Sequence, residues 1–465
     1  MASAYYFTRI WQLPQSARLE TQTLNKLAVA PWLSLSNDII ATNALRLRPL
    51  LNDIVQEESY FEIRQLTNQS KQMIFAIRLG EEQARYWQTN FPAVLHALPG
   101  IHIVENADDA WTVQNHGETN KIKLARINNW TVIGWSDGKS DLLNEAGACI
   151  RQFQVPFSGQ KTTNANWLEA DIDLQRAAKA FSIDWGLPEN SPRISFTMNG
   201  DGGSVFTRGK AVFPKPLEVE MEPWNIPVHL MHEPLIGFTA IRGIKSWLVS
   251  MRCWNELQIN PPNQIYLWSL QGSPYQTYLA APMANAENQM QSLTSVLLQK
   301  SNPWLAAHGY VGFEKLPDAN GVKWGSDPSI LPFIKTDNTG WFFAGLLPDT
   351  VANAAPPSQG MIHDVTSRTN LLYYDWEVSA PRVQSTLYLG QFIRQISRQP
   401  QLPLNSVGAV WLNTIMPRLD ASTTVATLTN TNELSLLRRS TLGFTALELQ
   451  ILIDWLESPQ FPSGL

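Results

Sequence analysis

The sequence is poor in charged residues and has no long basic stretch. Only 16% of its 465 residues are Asp, Glu, Lys or Arg, against about a quarter in an average soluble domain. The net charge is −5, and no Lys/Arg run reaches five residues. The basic surface that nucleic acids and anionic membranes attract is therefore missing, and we expect neither of these partners.

Cysteine and long apolar runs are scarce as well. Cys149 and Cys253 are the only cysteines, which excludes a disulfide framework and a Cys-based zinc site but leaves open whether the two are bridged. No run of 18 apolar residues occurs, so we expect no membrane insertion of this chain. An export signal is absent at the N-terminus, although a start at Met1 is also what replacement of such a signal would leave.

Two common catalytic signatures are missing too. The chain contains no His-Glu-x-x-His helix and no Cys-His arrangement. What it has in abundance is apolar and aromatic surface, with 44% hydrophobic residues and 18 Trp. That is ample for packed cores, and the length exceeds what one core supports, so two domains or lobes are expected.

The sequence indicates an internal duplication. Gly-Phe-Thr-Ala occurs at residues 237–240 and again at 443–446, each time ahead of a Trp-Leu pair. Two acidic segments, residues 166–173 and 370–377, match without a gap at an offset of 204 residues. Each copy also predicts two strands and then a helix, over residues 59–66, 72–79 and 81–98 and over residues 263–270, 275–281 and 285–300.

Hairpins outnumber strand-helix-strand crossovers in this pattern, which predicts an α+β fold. We expect two tandem lobes, each a mainly antiparallel sheet with helices packed on one face. The predicted division is an N-terminal extension (1–36), lobe 1 (37–236), lobe 2 (237–442) and a C-terminal helix (443–465). Thr239 and Thr445 are the predicted N-caps of helices over residues 239–254 and 445–458.

Two carboxylate pairs are the leading candidates for chemistry. Asp171 with Asp173, and Asp375 with Glu377, are spaced so that on a strand both members point to one side. Such a pair can divide acid and base roles in glycoside hydrolysis, which needs carboxylates about 5 to 9 Å apart across a water-filled cleft. The competing interpretation is structural, with the acids ending a strand and capping the next helix.

Two other motifs have a ligand-binding and a structural interpretation. The loop holding Gly134, Gly138, Lys139 and Ser140 follows a predicted strand as a phosphate-binding loop does, but it is one residue short between its glycines. A strand-to-helix turn is the favoured interpretation, and no cofactor is predicted.

His229, His232 and Glu233 resemble a zinc motif. Flanking prolines predict an extended segment, in which an i, i+3 histidine pair points to opposite faces. Chelation by both is therefore disfavoured. The Gly-rich residues 199–204 are predicted to form a hairpin turn.

Tryptophan is the remaining signal. Exposed Trp side chains would stack on sugar rings or anchor a protein partner, whereas core packing accounts for most of them. The Trp residues near predicted strand ends and loops are Trp111, Trp130, Trp135, Trp167, Trp185, Trp224, Trp268, Trp324, Trp341 and Trp376.

Several segments resemble large, uncharacterised exported bacterial proteins of the kind found in Verrucomicrobia. They are Asn-Ala-Leu-Arg at 43–46, residues 130–134, residues 438–440 and residues 443–449. The resemblance implies a periplasmic or cell-envelope location and assigns no active residue, and a cytoplasmic location stays open.

The sequence favours a non-catalytic binding or scaffold protein with an unknown protein or glycan partner. The alternative is a hydrolase of carbohydrate or a related polymer that uses the carboxylate pairs. A third hypothesis, nucleotide binding at Lys139, needs backbone N–H groups that wrap an anion-sized hollow. Oligomeric state is not predicted.

Overall fold

A computed structural model describes most of the chain. The described residues are 8–65, 71–99, 102–106, 110–115, 118–136, 166–181, 187–257, 259–272, 276–317, 319–325, 332–347, 354–396, 403 and 405–462. Cys149, Asp137, Gly138, Lys139, Ser140 and Trp185 lie outside them.

The chain divides into two compact units, each assembled from separate stretches of sequence. The first comprises Met1–Val205, Pro403–Thr414 and Leu452–Leu465, and the second comprises Phe206–Leu402 and Ile415–Ile451. The tandem lobes expected from the sequence, which meet between residues 236 and 237, stay a prediction.

The first unit contains a six-stranded antiparallel sheet and three long helices. The helices are α1 (Pro14–Val29), α2 (Asn37–Gln56) and α3 (Glu81–His96). The strands are β1 (Ser59–Gln65), β2 (Lys71–Arg78), β3 (His102–Asn106), β4 (Ala110–Asn115), β5 (Glu118–Ile127) and β6 (Trp130–Ser136). Their order is β1-β2-β6-β5-β4-β3.

Tryptophan side chains form the core between these helices and the sheet. Trp32 and Trp87 are fully buried against Leu50 of α2 and Ile77 of β2. The indole N–H of Trp87 donates to the Asp53 carboxylate at 2.8 Å, which satisfies the polar atom of a buried ring. Helices α2 and α3 thus cover one face of the sheet, as the sequence predicts.

Later in the chain come β7 (Leu168–Asp173), α4 (Leu174–Phe181) and β8 (Arg193–Gly200). Strands β7 and β8 pair antiparallel. The turn after β8 has Gly202 at φ +89°, where glycine is favoured, and Asp201 accepts the N–H groups of Gly203 and Ser204. The predicted turn at 199–204 is confirmed.

The second unit is built on a long antiparallel sheet. Its first strands and helices are β9 (Val205–Val212), β10 (Leu235–Arg242), α5 (Lys245–Ser250), α6 (Arg252–Leu257), β11 (Gln264–Leu270), β12 (Thr277–Pro282), α7 (Ala286–Val296) and α8 (Asn302–Ala307). Next come β13 (Phe313–Lys315), β14 (Gly321–Trp324), β15 (Phe333–Thr336), β16 (Trp341–Gly345), α9 (Gln359–Thr366), β17 (Leu371–Val378) and α10 (Ser379–Ile396).

The chain continues with α11 (Val407–Ile415), β18 (Ala421–Asn430), β19 (Glu433–Ser440) and α12 (Ala446–Glu457). Within the second unit the strand order is β13-β14-β15-β16-β12-β11-β10-β17-β18-β19-β9. One face of this sheet holds an aromatic core formed by Phe238, Tyr266, Trp268, Tyr278, Trp341, Phe343 and Tyr374. The opposite face carries polar side chains on β10, β17 and β18 and, where α7 covers it, a second apolar cluster that includes Ala281 and Phe342.

Six strands of each unit run in a corresponding order. Strands β1-β2-β6-β5-β4-β3 match β11-β12-β16-β15-β14-β13, and Trp130 and Trp341 each open the second strand of a hairpin. Helix α3 follows β2 as α7 follows β12. This order favours the duplication, which stays a prediction.

The fold is α+β, as the sequence predicts, but the helix expected over residues 239–254 does not begin at Thr239. Strand β10 continues to Arg242, and the helical residues are those of α5 and α6, which begin at Lys245 and Arg252. Thr239 lies in the middle of β10, paired with Leu267 on one side and Asp375 on the other. Most of Leu235–Arg242 is buried, which fits a strand covered on both faces. Pairing with two neighbouring strands outweighs the cap signal of a lone threonine. Thr445, in contrast, is a cap.

The helices of the described residues include none that is both long and apolar enough to cross a membrane.

Candidate functional site

Two rows of polar residues cross the second unit's sheet on the face opposite its aromatic core. In one row, cross-strand neighbours follow each other in the order Thr277, Ser269, Gly237, Glu377 and Ser422. The second row runs through Thr239, Asp375, Thr424 and Arg438. Because side chains alternate along a strand, both rows point to the same face. Asp375 and Glu377 therefore stand side by side.

Glu377 is buried and holds the first residues of two helices. Its side chain is only 5% exposed. The Oε1 atom accepts the backbone N–H of Ala446, the first residue of α12, at 2.8 Å and the hydroxyl of Ser379, the first residue of α10, at 3.2 Å. A carboxylate at a helix N-terminus compensates unpaired amides there.

Asp375 and Arg382 complete the cluster. The hydroxyl of Thr239 donates to Asp375 Oδ1 at 2.6 Å, and Arg382 of α10 donates to the Ser269 hydroxyl. A Cβ on Gly237 would lie 3.5 Å from the Arg382 side chain, so the arginine passes over the strand at this glycine. Two acids and one arginine thus share a largely buried space.

Burial shifts the proton affinity of all three groups. It raises the pKa of Glu377 to about 7. The Ala446 hydrogen bond lowers this pKa, and the neighbouring Asp375 charge raises it further. Burial also raises the pKa of Asp375, although the Thr239 hydrogen bond opposes it. The pKa of Arg382 is lowered by burial, and both acids counteract that shift.

A second charge pair lies beside this cluster. Arg438 contacts both oxygens of Glu448, at 2.7 and 2.9 Å, and donates to Thr424 at 3.0 Å. Glu448 also accepts the N–H of Thr445 at 2.8 Å, while the Thr445 hydroxyl accepts the Glu448 N–H at 3.3 Å. This reciprocal pair is a capping box, so the predicted cap at Thr445 is confirmed.

The acids of the other predicted pair, Asp171 and Asp173 in the first unit, are more exposed. Asp171 forms an exposed two-point contact with Arg193 at 2.6 Å from the guanidinium Nε, and this hydrogen bond lowers the pKa of Asp171. Asp173 accepts the N–H of Arg176 at 3.0 Å. Asp173 therefore caps α4, as the structural interpretation expects.

The other motifs are not assembled into a binding site within the described residues. Gly134 lies within β6, and the rest of that loop, including Lys139, is outside the described residues. No group of three or more His, Cys, Asp or Glu side chains with metal-binding geometry occurs in the described part of the chain.

The three residues of the zinc-like motif point to different partners. His229 Nε2 lies 2.8 Å from Asp337 Oδ2 and 3.0 Å from the Thr339 hydroxyl. His232 Nδ1 lies 2.9 Å from the carbonyl oxygen of Glu233, whose carboxylate accepts the N–H of Leu235 at 2.7 Å. Because Asp337 and Thr339 meet the same imidazole nitrogen, they do not form the relay of a catalytic triad.

Many of the tryptophans pack into cores, but two that are not among the Trp residues named near strand ends and loops are exposed. Trp111, Trp268 and Trp341 are buried, as expected. Trp247 and Trp304 are 59% and 58% exposed. A Pro303-Trp304 pair within a short helix gives no periodic signal, which is why sequence reasoning missed it.

Trp304 lies on α8 directly after a π-helical turn, Leu297–Ser301. Its ring stacks on His308 with centroids 4.3 Å apart, and His308 Nδ1 lies 2.8 Å from the Trp304 carbonyl oxygen. One face of the indole is thus backed by a fixed imidazole, and turns of this kind are frequent at functional sites.

Comparison with known proteins gives little. No family model matches the chain, and no curated protein matches it. Crystal forms I and III of TP0453 align with 51% and 50% of this chain and with 100% and 99% of their own, at 8% and 6% identity. The TM-score is 0.23 in both, and agreement at that level does not establish a common fold.

Proposed function

We propose that this is a non-catalytic binding protein of the cell envelope, with a glycan as its partner. The observation that carries the non-catalytic part is the position of the acids. Glu377 and Asp173 accept helix N-terminal amides, and Asp171 is paired with Arg193. Asp375 is bonded to Thr239 within the sheet. A hydrolase needs its acids facing substrate and water.

The glycan part rests on Trp304. A flat, exposed indole offers a large apolar face at a low cost in conformational entropy, and such faces bind sugar rings. His308 restrains the ring on one side, so the platform is rigid before the ligand arrives. The extracytoplasmic setting rests on the low charge of the chain and on its resemblance to exported proteins.

The proposal is tested with Trp304→Ala in affinity electrophoresis and pull-down assays. The probes are soluble β-glucan, xylan, chitin, cellulose and purified peptidoglycan. We expect the wild-type protein to be retained by at least one polymer and Trp304→Ala to lose most of that retention, about tenfold or more in Kd for a stacked ring.

Trp247→Ala is the matched control, because Trp247 is equally exposed but has no ring partner among the described residues. It should bind as the wild type does. Equal retention of all three proteins, or no retention on any polymer, contradicts the proposal. Release of reducing ends by the wild type that disappears in Glu377→Gln would establish the hydrolase instead.

A further inference from the structure

The buried cluster of the second unit has an unbalanced charge. Asp375 and Glu377 carry one negative charge each when ionised, and Arg382 carries one positive charge. The adjacent Arg438 and Glu448 neutralise each other in a direct ion pair. With both acids ionised the cluster is therefore left with one net negative charge, which burial strongly disfavours.

One bound proton makes the cluster neutral. None of the other side chains on the neighbouring strands that face the two acids can supply the missing positive charge. Strands β10 and β18 contribute Gly237, Thr239, Ser422 and Thr424, which do not titrate, and β17 contributes Tyr373, a neutral phenol whose pKa is raised by burial. Ser422, the cross-strand neighbour of Glu377, is fully buried and its hydroxyl has no partner among the described residues.

We propose that Asp375 and Glu377 share one proton in the neutral pH range, and that its release loosens the first turn of α12. The geometry gives the link, because the buried carboxyl that would ionise lies at the start of this helix and accepts the Ala446 N–H. That hydrogen bond favours the ionised form, but burial opposes it more strongly, so an ionised Glu377 gains when the first turn opens and water reaches it. The same carboxylate meets Ser379 at the start of α10. The inference is independent of the glycan proposal.

Proton linkage determines how the stability of the first turn of α12 changes with pH. A carboxyl whose pKa is higher in the folded state than in the open state binds its proton more tightly when folded. The closed first turn is then most stable at acidic pH and loses stability as the pH rises through the raised value. With the pKa of Glu377 rising from 4.5 to about 7, opening becomes about tenfold more favourable between pH 6 and pH 8.

Hydrogen exchange measured by mass spectrometry tests this pH-dependent opening of α12 in the full-length protein. Protection of the peptide covering residues 443–451, corrected for the chemical exchange rate, should fall about tenfold from pH 6 to pH 8 in the wild type. Glu377→Gln keeps the acceptor oxygen but cannot ionise, so its protection should not change with pH.

Two further variants make the result specific. In Asp375→Asn the remaining acid and Arg382 balance each other when ionised, so the fall between pH 6 and pH 8 should also disappear. Thr445→Ala, which removes the hydroxyl that caps α12 without changing any charge, should lower protection at both pH values and keep the pH-dependent fall. A wild-type protection independent of pH, or an unchanged fall in Asp375→Asn, overturns the shared proton.

Discussion

Single buried polar side chains determine much of the second unit, and Arg242 is the clearest example. It is 4% exposed and lies over the Trp224 ring, 4.6 Å from its centroid. Its guanidinium donates to the carbonyl oxygens of Leu371 at 2.7 Å and Glu222 at 2.6 Å, and also to that of Thr369. One side chain thus fixes a connecting segment and the start of β17.

Replacing this arginine should be costly. Arg242→Met fills the space but leaves several buried carbonyl oxygens without a donor, so we expect a loss of roughly 3 to 5 kcal/mol in unfolding free energy. Arg242→Lys should recover little, because one ammonium does not reproduce a planar fork of donors. Urea unfolding followed by Trp fluorescence measures both, and a loss below about 1 kcal/mol would contradict this role.

The sequence identifies Asp375 and Glu377 as a pair on one strand face, and the structure agrees. It does not reveal that the pair is buried. Burial depends on α10 and α12 covering this face and on Arg382 reaching over Gly237, which are tertiary contacts. In the first unit the same spacing leaves Asp171 exposed beside Arg193.

At the scale of helices and strands, the repeated Gly-Phe-Thr-Ala adopts two different structures. The first copy is central in β10, and the second forms the turn and cap that start α12, with Gly443 at φ +86°. Local sequence is identical, so the difference is set by the neighbours: β11 and β17 pair with the first copy. Both copies nevertheless contact the acid pair, through Thr239 and Ala446.

The capping box predicts a modest, pH-independent effect. Thr445→Ala removes the hydroxyl that accepts the Glu448 N–H and should destabilise the protein by about 1 kcal/mol. Thermal unfolding at pH 6 and pH 8 measures it. Leu447→Ala, at an exposed position of the same helix, should cost less than about 0.5 kcal/mol. An equal loss in both variants would show that the cap contributes nothing.

Across the whole molecule, the hairpins and long helices could be predicted because their hydrophobic periods are strong. The paired strands β1 with β2 and β11 with β12, and the helices α3 and α12, lie within a few residues of their expected bounds. Strands β3, β4, β13 and β14 are short or weakly apolar and were not predicted. The noncontiguous make-up of the two units is a tertiary property that no local pattern carries.

The central claim is that the acid pair of the second unit is a buried, proton-binding part of the scaffold and not a pair of exposed catalytic groups. The carboxyl ¹³C resonance of Glu377, in protein labelled at glutamate and assigned by its loss in Glu377→Gln, tests this most directly. We predict that it titrates with a pKa of about 7, as burial beside Asp375 requires. A titration near 4.5, the ordinary value for an exposed glutamate, would contradict the account.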